Sequence, residues 1–462
     1  MGMAGSFGAI GGDVTASIDN PAALGIFRSS EASVSVGLSP IIATGNWQGN
    51  TYSDNATQFN FNNIAWVSTI STRKDSGYLS SSFGLSYHKI KDFKRKVYLQ
   101  NNSNSIVSLT DLMAGFLTRP AGDFIYKDDL LSPNAYNDTR LGWLSVLGYG
   151  ACLIYPDENN ATNGKWYSIL DPDEIILPSY QATESGNISD YNLTYSGNVN
   201  NRVYFGIGLS MQSISYIIQS TYSEHYPNHD DYFNLNNYFM TTGFGANFKV
   251  GVIVRATDFM RLGFSLQTPT WYSMRDRFNA DLKYSVNDMV STPDADYFYK
   301  FSLPLKAQAS VGFIIAKKAA INIDYQFSDK QYSMSDAYGK FDIDHNKNAK
   351  YIHTVKLGAE VRLSDNFKIR AGGAFISAPI NQNAAKLLPL NTTRTDFEYF
   401  VTKNTFYGTF GIGYAKNFFG IDLAYAYQQQ NHNFFAAENF DNFGATLKTH
   451  NHNIVATVAF RY

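Results

Sequence analysis

"FGIDLAYAY", residues 419–427, alternates without a break: Phe419, Ile421, Leu423, Tyr425 and Tyr427 are large and apolar, whereas Gly420, Asp422, Ala424 and Ala426 are small or polar. A period of two belongs to a β-strand whose two faces meet different surroundings. The run is about as long as a tilted strand needs to cross a bilayer. The pattern returns in Leu305, Ala307, Ala309, Val311, Phe313 and Ile315, interleaved with Lys306, Gln308, Ser310 and Gly312, and again in Val355, Leu357, Ala359, Val361 and Leu363. Lipid on one side and a watery lumen on the other would select such strands.

Composition agrees. The 462 residues include 34 Phe, 32 Tyr and 35 Gly with only 16% charged, a balance that favours strands and tight turns. The formal net charge is −2 and the charges are dispersed, so there is no one-sided basic field and nucleic acid is excluded as a partner. A single cysteine, Cys152, rules out an intramolecular disulfide and a Cys-based metal site; it reads as a small packed thiol. No apolar stretch is long enough for a spanning helix. The mean hydropathy of −0.24 does not exclude a barrel, because alternation averages to a hydrophilic value.

Connections alternate between short and long. Short ones are "TRKDSG" from Thr72, "GNVNN" from Gly197, "ATDF" from Ala256, "AKKA" from Ala316, "SDN" from Ser364 and "KNF" from Lys416, rich in turn-forming or charged residues. Long ones are expected near 39–57, 99–185, 223–236, 273–297, 337–350, 379–403 and 431–447. Thirteen connections join fourteen strands, which predicts an all-β, 14-stranded antiparallel transmembrane β-barrel with both chain ends on the short-turn side. The last strand alternates Ile454, Ala456, Val458, Phe460 and Tyr462 and stops on an aromatic. That ending resembles the C-terminal assembly signal of bacterial outer-membrane proteins, which implies the barrel assembly machinery as a partner. The opening at Met1-Gly2-Met3-Ala4-Gly5 reads as a processed start.

Two places break the alternation. In "FNFNNIAWV" the apolar parity shifts from Phe59 and Phe61 to Ile64 and Trp66, which predicts a bulge at Asn62-Asn63. The next strand, through Phe83, Leu85 and Tyr87, dissolves into "HKIKDFKRK", where an ordinary strand end explains the sequence as well as a parting of strands does. Within 99–185, Ile106, Leu109, Leu112, Met113 and Phe116 recur at helical spacing, as do Leu141, Leu144 and Leu147. These stripes either pack on one another as a cap or also form a greasy way in for an apolar ligand.

A fourteen-stranded barrel is too wide for inward side chains to fill, so it conducts or is plugged. Residues 1–30 supply a plug: "MGMAGSFGAIGGDVTASIDNPAAL" is rich in Gly, Ala and Ser and precedes the first strand-like run, Val34, Val36 and Leu38. Residues 31–462 then form the barrel. Gly2-Met3-Ala4-Gly5, Asp13 and Asn20-Pro21-Ala22-Ala23-Leu24 resemble the N-terminal hatch of the FadL/TodX outer-membrane transport family, and "RLGFSLQTPTWY" from Arg261 and "KIRAGGAFISAPI" from Lys368 are similar to its later strands. The resemblance implies a Gram-negative outer-membrane channel surrounded by membrane lipids, with termini periplasmic, loops extracellular, no cofactor and no enzymatic activity. It implies passive uptake of hydrophobic or amphipathic small molecules, such as long-chain fatty acids or aromatic hydrocarbons. Gly11, Gly12, Asp13, Asn20, Pro21 and Ala22 would belong to the hatch, and Asn62 and Asn63 lie in the right region for a lateral gap in the wall.

Inward parity gives the lumen Lys249, Arg255, Arg261, Lys306, Lys356, Arg362, Lys368 and Arg370 against acids such as Asp324, Glu360 and Asp422. A carboxylate entering a partly dry barrel must be paired; Lys249, Lys306 and Lys356 are the candidate head-group contacts. The alternative is that lumen charges pair with one another or with the hatch. No nucleophile elbow, P-loop or His-Glu-x-x-His occurs. His225 and His229 beside Asp230 and Asp231 read as a solvated loop, not a metal site, and His432, His450 and His452 are expected in Asn-rich loops. Other readings are a subunit or shuttle of a protein-secretion or assembly complex, with protein partners at extracellular loops such as 273–297, and a haem or lipid transporter. A secreted soluble all-β enzyme lacks any catalytic constellation here.

Overall fold

The computed structural model describes residues 2–102, 107–120, 122–157, 164–172, 174–336, 339–341, 348–384, 393–436 and 444–462. Fourteen antiparallel strands close into one barrel: β1 (Glu31–Trp47), β2 (Asn50–Ser71), β3 (Tyr78–Asp92, resuming Arg95–Gln100), β4 (Leu177–Val199), β5 (Val203–Tyr226), β6 (Asp231–Arg255) and β7 (Met260–Gln267, resuming Thr270–Tyr284) make the first half. The second half is β8 (Ala295–Leu303, resuming Lys306–Ile315), β9 (Ala319–Ser328), β10 (Ile352–Arg362), β11 (Phe367–Ile376), β12 (Tyr399–Lys416), β13 (Phe419–Phe435) and β14 (Ala445–Arg461). β1 pairs with β14 from Glu31↔Arg461 to Trp47↔Ala445, which closes the cylinder. Phe410, Ile412, Ile421, Leu423, Leu357 and Val355 are all exposed. A contiguous apolar belt of that kind is what a lipid-facing wall presents.

The short turns lie where the sequence places them, but strands extend into four of the connections expected to be long. Residues 39–57 are strand interrupted only by Gln48-Gly49, a two-residue turn with φ of +48° and +93°. Likewise β5 and β6 run through most of 223–236, β7 continues to Tyr284 within 273–297, and β13 reaches Phe435 within 431–447. The reason is physical. Beyond the bilayer the outer face is wet, so "TYSDNATQ" (51–58) carries no apolar alternation; it is strand because Thr51↔Asn46 through Gln58↔Ser39 pair with β1. The wall is therefore uneven, with 23 to 25 residues in β4, β5 and β6 against 10 or 11 in β9, β10 and β11.

Three helices sit in the mouth on the tall side: α1 (Leu109–Leu117), α2 (Lys127–Leu130) and α3 (Trp143–Gly150). Leu109, Met113 and Leu117 of α1 and Leu144 and Leu147 of α3 join one buried cluster with Trp47, Leu99, Tyr180, Phe233, Leu282, Phe434 and Leu447, side chains from β1, β3, β4, β6, β7, β13 and β14. The stripes thus pack on one another and on the barrel; Ile106 lies outside the described residues. Each fully buried Leu or Met contributes about 1.5–3 kcal/mol. Ser108 caps α1 with Asp111, and the buried Glu224 of β5 accepts hydrogen bonds from Ser108 Oγ, from Leu109 N (2.7 Å) and from the Tyr222 and Tyr226 hydroxyls (both 2.9 Å).

Further expectations are corrected here. Cys152 is exposed, not packed, because it follows α3 in a left-handed turn (φ +61°) that swings its side chain outward. His432, His450 and His452 lie in strands, not loops: His432 is buried, and the other two bond through Nδ1 to the hydroxyls of Tyr427 (2.6 Å) and Tyr425 (2.8 Å). Their Asn-rich neighbours belong to the polar upper wall.

Candidate functional site: hatch, lumen and wall seam

Residues 2–27 lie inside the barrel. Gly11 and Gly12 have φ of +62° and +81°, a left-handed region that glycine enters without the strain of a Cβ. They reverse the chain into a short 3-10 helix, Val14–Ile18, whose first turn is capped by Asp13 Oδ1 accepting from Thr15 N at 2.8 Å and Thr15 Oγ1 at 2.6 Å. Asn20 is 1% exposed; its Oδ1 accepts from Ala22 N (3.1 Å), capping a second 3-10 helix, Pro21–Ile26, while its Nδ2 donates to Gly8 O (2.9 Å). Pro21 and Ala22 are buried. One asparagine thereby ties the two legs of the segment together, and Pro at the first helical position needs no N–H partner.

The barrel wall is cut to receive this segment. A Cβ on Gly206 would sit 2.5 Å from the carbonyl carbon of Pro21, one on Gly312 2.8 Å from Ile10 Cγ1, and one on Gly358 2.8 Å from Met3 Cβ; Gly251 lies directly under the Asn20 amide and Gly263 under the Gly8 carbonyl. Polar wall residues between them hold the backbone of this N-terminal segment: Arg261 Nη1 donates to Ile10 O (2.8 Å), Ser265 Oγ to Asp19 O (2.7 Å) and Ser196 Oγ to Pro21 O (2.5 Å). The signal for this bed was present in the sequence, since these glycines all fall on inward parity, yet no local pattern announces a track that exists only once six strands are side by side.

At Asp19 of this segment, Lys356 Nζ bonds Oδ2 at 2.6 Å, and Lys249, 4% exposed, reaches Asn192 Oδ1 (3.1 Å) and Asp190 Oδ2 (3.6 Å). Lys306 shares the field of Asp19 with both but makes no hydrogen bond or ion pair among the described residues. So the fold gathers the three lysines around Asp19 and commits two of them. Asp19, Asp190 and Asn192 were not singled out in the sequence. Elsewhere in the lumen charges pair with each other: Arg370 with Glu360 (2.7 Å) and Asp422 (2.6 Å). Arg255 pairs with Asp258 outside (2.9 Å). His225 and His229 approach Asp230 (3.5 Å) and Glu174 (3.2 Å), and no group able to hold a metal occurs among the described residues.

The wall has a seam. Ser35 pairs with Asn63 but Val36 with Phe61, so Asn62 is the extra residue of a bulge. The β2–β3 ladder ends at Asn63↔His88, and β2 from Asn50 to Asn62 pairs with β1 alone. On the other side, β3 does not stop at "HKIKDF"; it continues on β4 with a register shift at Lys89/Lys91, skips Phe93-Lys94 and resumes at Arg95, still paired only with β4. The two sides touch below through Asn63 Nδ2 and His88 Nδ1 (2.5 Å), in the middle through Lys89 Nζ and Asn60 Oδ1 (2.7 Å), and above through the rings of Tyr52 and Tyr98 (5.0 Å). Side chains, not backbone, span the break. The exposed Phe59, Phe61 and Ile90 rim it outside.

No protein-family model matches the sequence, and no curated protein matches it significantly. Solved structures do. A Pseudomonas aeruginosa FadL homologue superposes with a TM-score of 0.55 over 100% of this chain and 98% of that one, at 12% identity. The P. putida toluene transporter TodX gives 0.53 over 99% and 97% at 9% identity, and the Ralstonia pickettii toluene transporter TbuX 0.53 over 100% and 97% at 11%. The chain has the FadL fold. At such identities the likeness rests on architecture, and the FadL fold in this chain includes the fourteen strands and the N-terminal segment ahead of them.

Proposed function

We propose that the protein is an outer-membrane channel through which hydrophobic or amphipathic small molecules pass by diffusion. What supports this reading most is the coincidence of an N-terminal segment packed against inward wall glycines with strands β2 and β3 that share no ladder above Asn63↔His88. A closed plugged barrel would be a dead end, whereas the lower end of the seam, rimmed outside by Phe59, Phe61 and Ile90, would give an apolar molecule a way from the lumen into lipid. The full-length likeness to the FadL homologue and to two toluene transporters supports the same reading. In it, residues 1–30 act as the hatch, the seam around Asn62 and Asn63 as the lateral exit, and Lys306, between Lys249 and Lys356, as the contact for a ligand head group.

Lys306 is the natural choice for an anionic head because its neighbours are already engaged. A carboxylate there would gain a charge-assisted bond without breaking an existing one. The test is uptake of a radiolabelled long-chain fatty acid and of toluene by cells carrying the protein, with mass spectrometry of whatever co-purifies. Uptake above that of cells with an unrelated barrel is expected; no uptake of either, with no apolar compound co-purifying, would refute the reading.

A further inference from the structure

The outer face of the tall wall changes character at β7. On β4, β5 and β6 the outward parity is that of the exposed Tyr191 and Leu193, Phe205 and Ile207, and Phe244 and Phe248, and along all three strands no position of that parity holds Asp, Glu, Lys or Arg. On β7 and β8 the same face gathers Arg275, Arg277 and Lys300. Register brings them together: Ser273 pairs with Lys300, Arg275 with Phe298 and Arg277 with Asp296, so that neighbouring cations stand about 7 Å apart along or across the strands. One acid lies among them. Asp296 Oδ1 accepts from Arg275 Nε at 2.8 Å, and Arg277 Nε is 3.9 Å from its Oδ2. Lys300 is exposed and makes no ion pair among the described residues.

Hydroxyls complete the patch. Ser273 and Ser335 flank Lys300 on its own rung, and on the rung below Ser302 Oγ meets Ser333 Oγ of the short strand Ser333–Asp336 at 2.6 Å. Arg275 is held in place, because its guanidinium lies 5.0 Å from the centre of the Phe298 ring while it bonds Asp296. Guanidinium, ammonium and hydroxyl groups gathered on one surface are the donors that phosphate oxygens accept from. Trp271 marks the level. It is 55% exposed and pairs with Ser302 just below the cations, and tryptophan gathers where hydrocarbon gives way to head groups. Beneath it the wall presents Phe248, Phe264 and Leu262, all exposed and apolar, a surface suited to acyl chains.

We infer that this patch of β7 and β8 binds one membrane lipid, a phosphorylated glycolipid of the lipid A kind, with Lys300 and Arg277 meeting its phosphate and its acyl chains lying on the apolar face beneath Trp271. Three cations against one carboxylate leave the patch positive, which suits a phosphomonoester better than a zwitterionic head group. The uncharged outer faces of β4, β5 and β6 make this a single lipid position and not an even girdle. The inference rests on the outer-membrane reading for the leaflet that the mouth of the barrel meets, and not on the passage of any molecule through the lumen.

The test is native mass spectrometry of the full-length protein in detergent, titrated with diphosphoryl lipid A, with the same lipid stripped of its phosphates, and with phosphatidylethanolamine. Diphosphoryl lipid A is expected to bind at least about tenfold more tightly than either of the others. Arg277→Gln and Lys300→Gln should each weaken it about fivefold, whereas Lys448→Gln, which removes an exposed cation of β14, should leave it unchanged; heat-modified gel mobility reports that each barrel is intact. Equal binding of the phosphorylated and stripped lipids, phosphatidylethanolamine bound as tightly as lipid A, displacement by millimolar inorganic phosphate, or a loss in Lys448→Gln as large as in Lys300→Gln would overturn the inference. Lipid A selectivity in a protein that takes up neither fatty acid nor toluene would keep the lipid site and refute the channel; uptake without that selectivity would do the reverse.

Discussion

Lys356 of the barrel wall and Asp19 of the N-terminal segment form an ion pair of 2.6 Å that joins residues 337 positions apart. It ties the far leg of this segment, the proposed hatch, to β10, and predicts that its seating is sensitive to acid. Burial raises the Asp19 carboxyl, but Lys356, then Lys249 and Lys306, outweigh it and hold it below its ordinary value of 3.8. A depressed folded-state value stabilises the seated hatch at all pH above 3.8, and the contribution is lost as pH falls through the folded value, below 3.8. Planar-bilayer conductance of the wild type should therefore stay flat from pH 8 to 4 and rise only in stronger acid. Asp19→Asn should show the raised conductance already at pH 7.

The glycine bed predicts a position-specific leak. Gly263→Val would drive a side chain into the Gly8 carbonyl, whereas a Cβ on Gly408 meets nothing within 4 Å. Cells carrying Gly263→Val should become permeable to small polar antibiotics, and Gly408→Ala cells should not. Equal permeability of the two would mean that the segment is not seated by the wall.

The cap has its own anchor in Glu224. Glu224→Ala leaves the α1 N-terminus, Ser108, Tyr222 and Tyr226 without their shared acceptor, a loss of about 1–3 kcal/mol for each buried donor stranded. Hydrogen exchange of residues 109–117 should speed up by at least about tenfold, while exchange in β9–β11 remains as in the wild type.

For the head group, Lys306→Met should weaken binding of a long-chain fatty acid by about tenfold, about 1.4 kcal/mol, and leave the matching alcohol unaffected. Lys306→Arg should retain most of the affinity. A loss shared by acid and alcohol would assign Lys306 to the channel's shape instead.

Much of the fold was legible because the bilayer writes itself into the sequence: wherever lipid touches the wall, as at 419–427 or 355–363, one face must be apolar and the period of two is plain. Above the bilayer that constraint ends, so the tall halves of β1, β2, β5 and β6 carry no alternation and read as loops. The bulge at Asn62 was legible from the shift of apolar parity, and the small residues of the N-terminal segment from its composition. Its bed of glycines and its partner Lys356 were not, because inward parity says which face a residue is on and nothing about which residue lies across the lumen.

The most direct measurement concerns the seam. In a Cys152→Ser background, which removes the exposed native thiol, Asn60→Cys and Lys89→Cys place one thiol on each side of the break that Lys89 and Asn60 now bridge. Cross-linking them with a short, reducible bifunctional reagent should stop uptake of the hydrophobic probe, and reduction should restore it, while the single-cysteine controls remain active throughout. Undiminished uptake through a quantitatively cross-linked seam would contradict lateral exit and with it the proposed route.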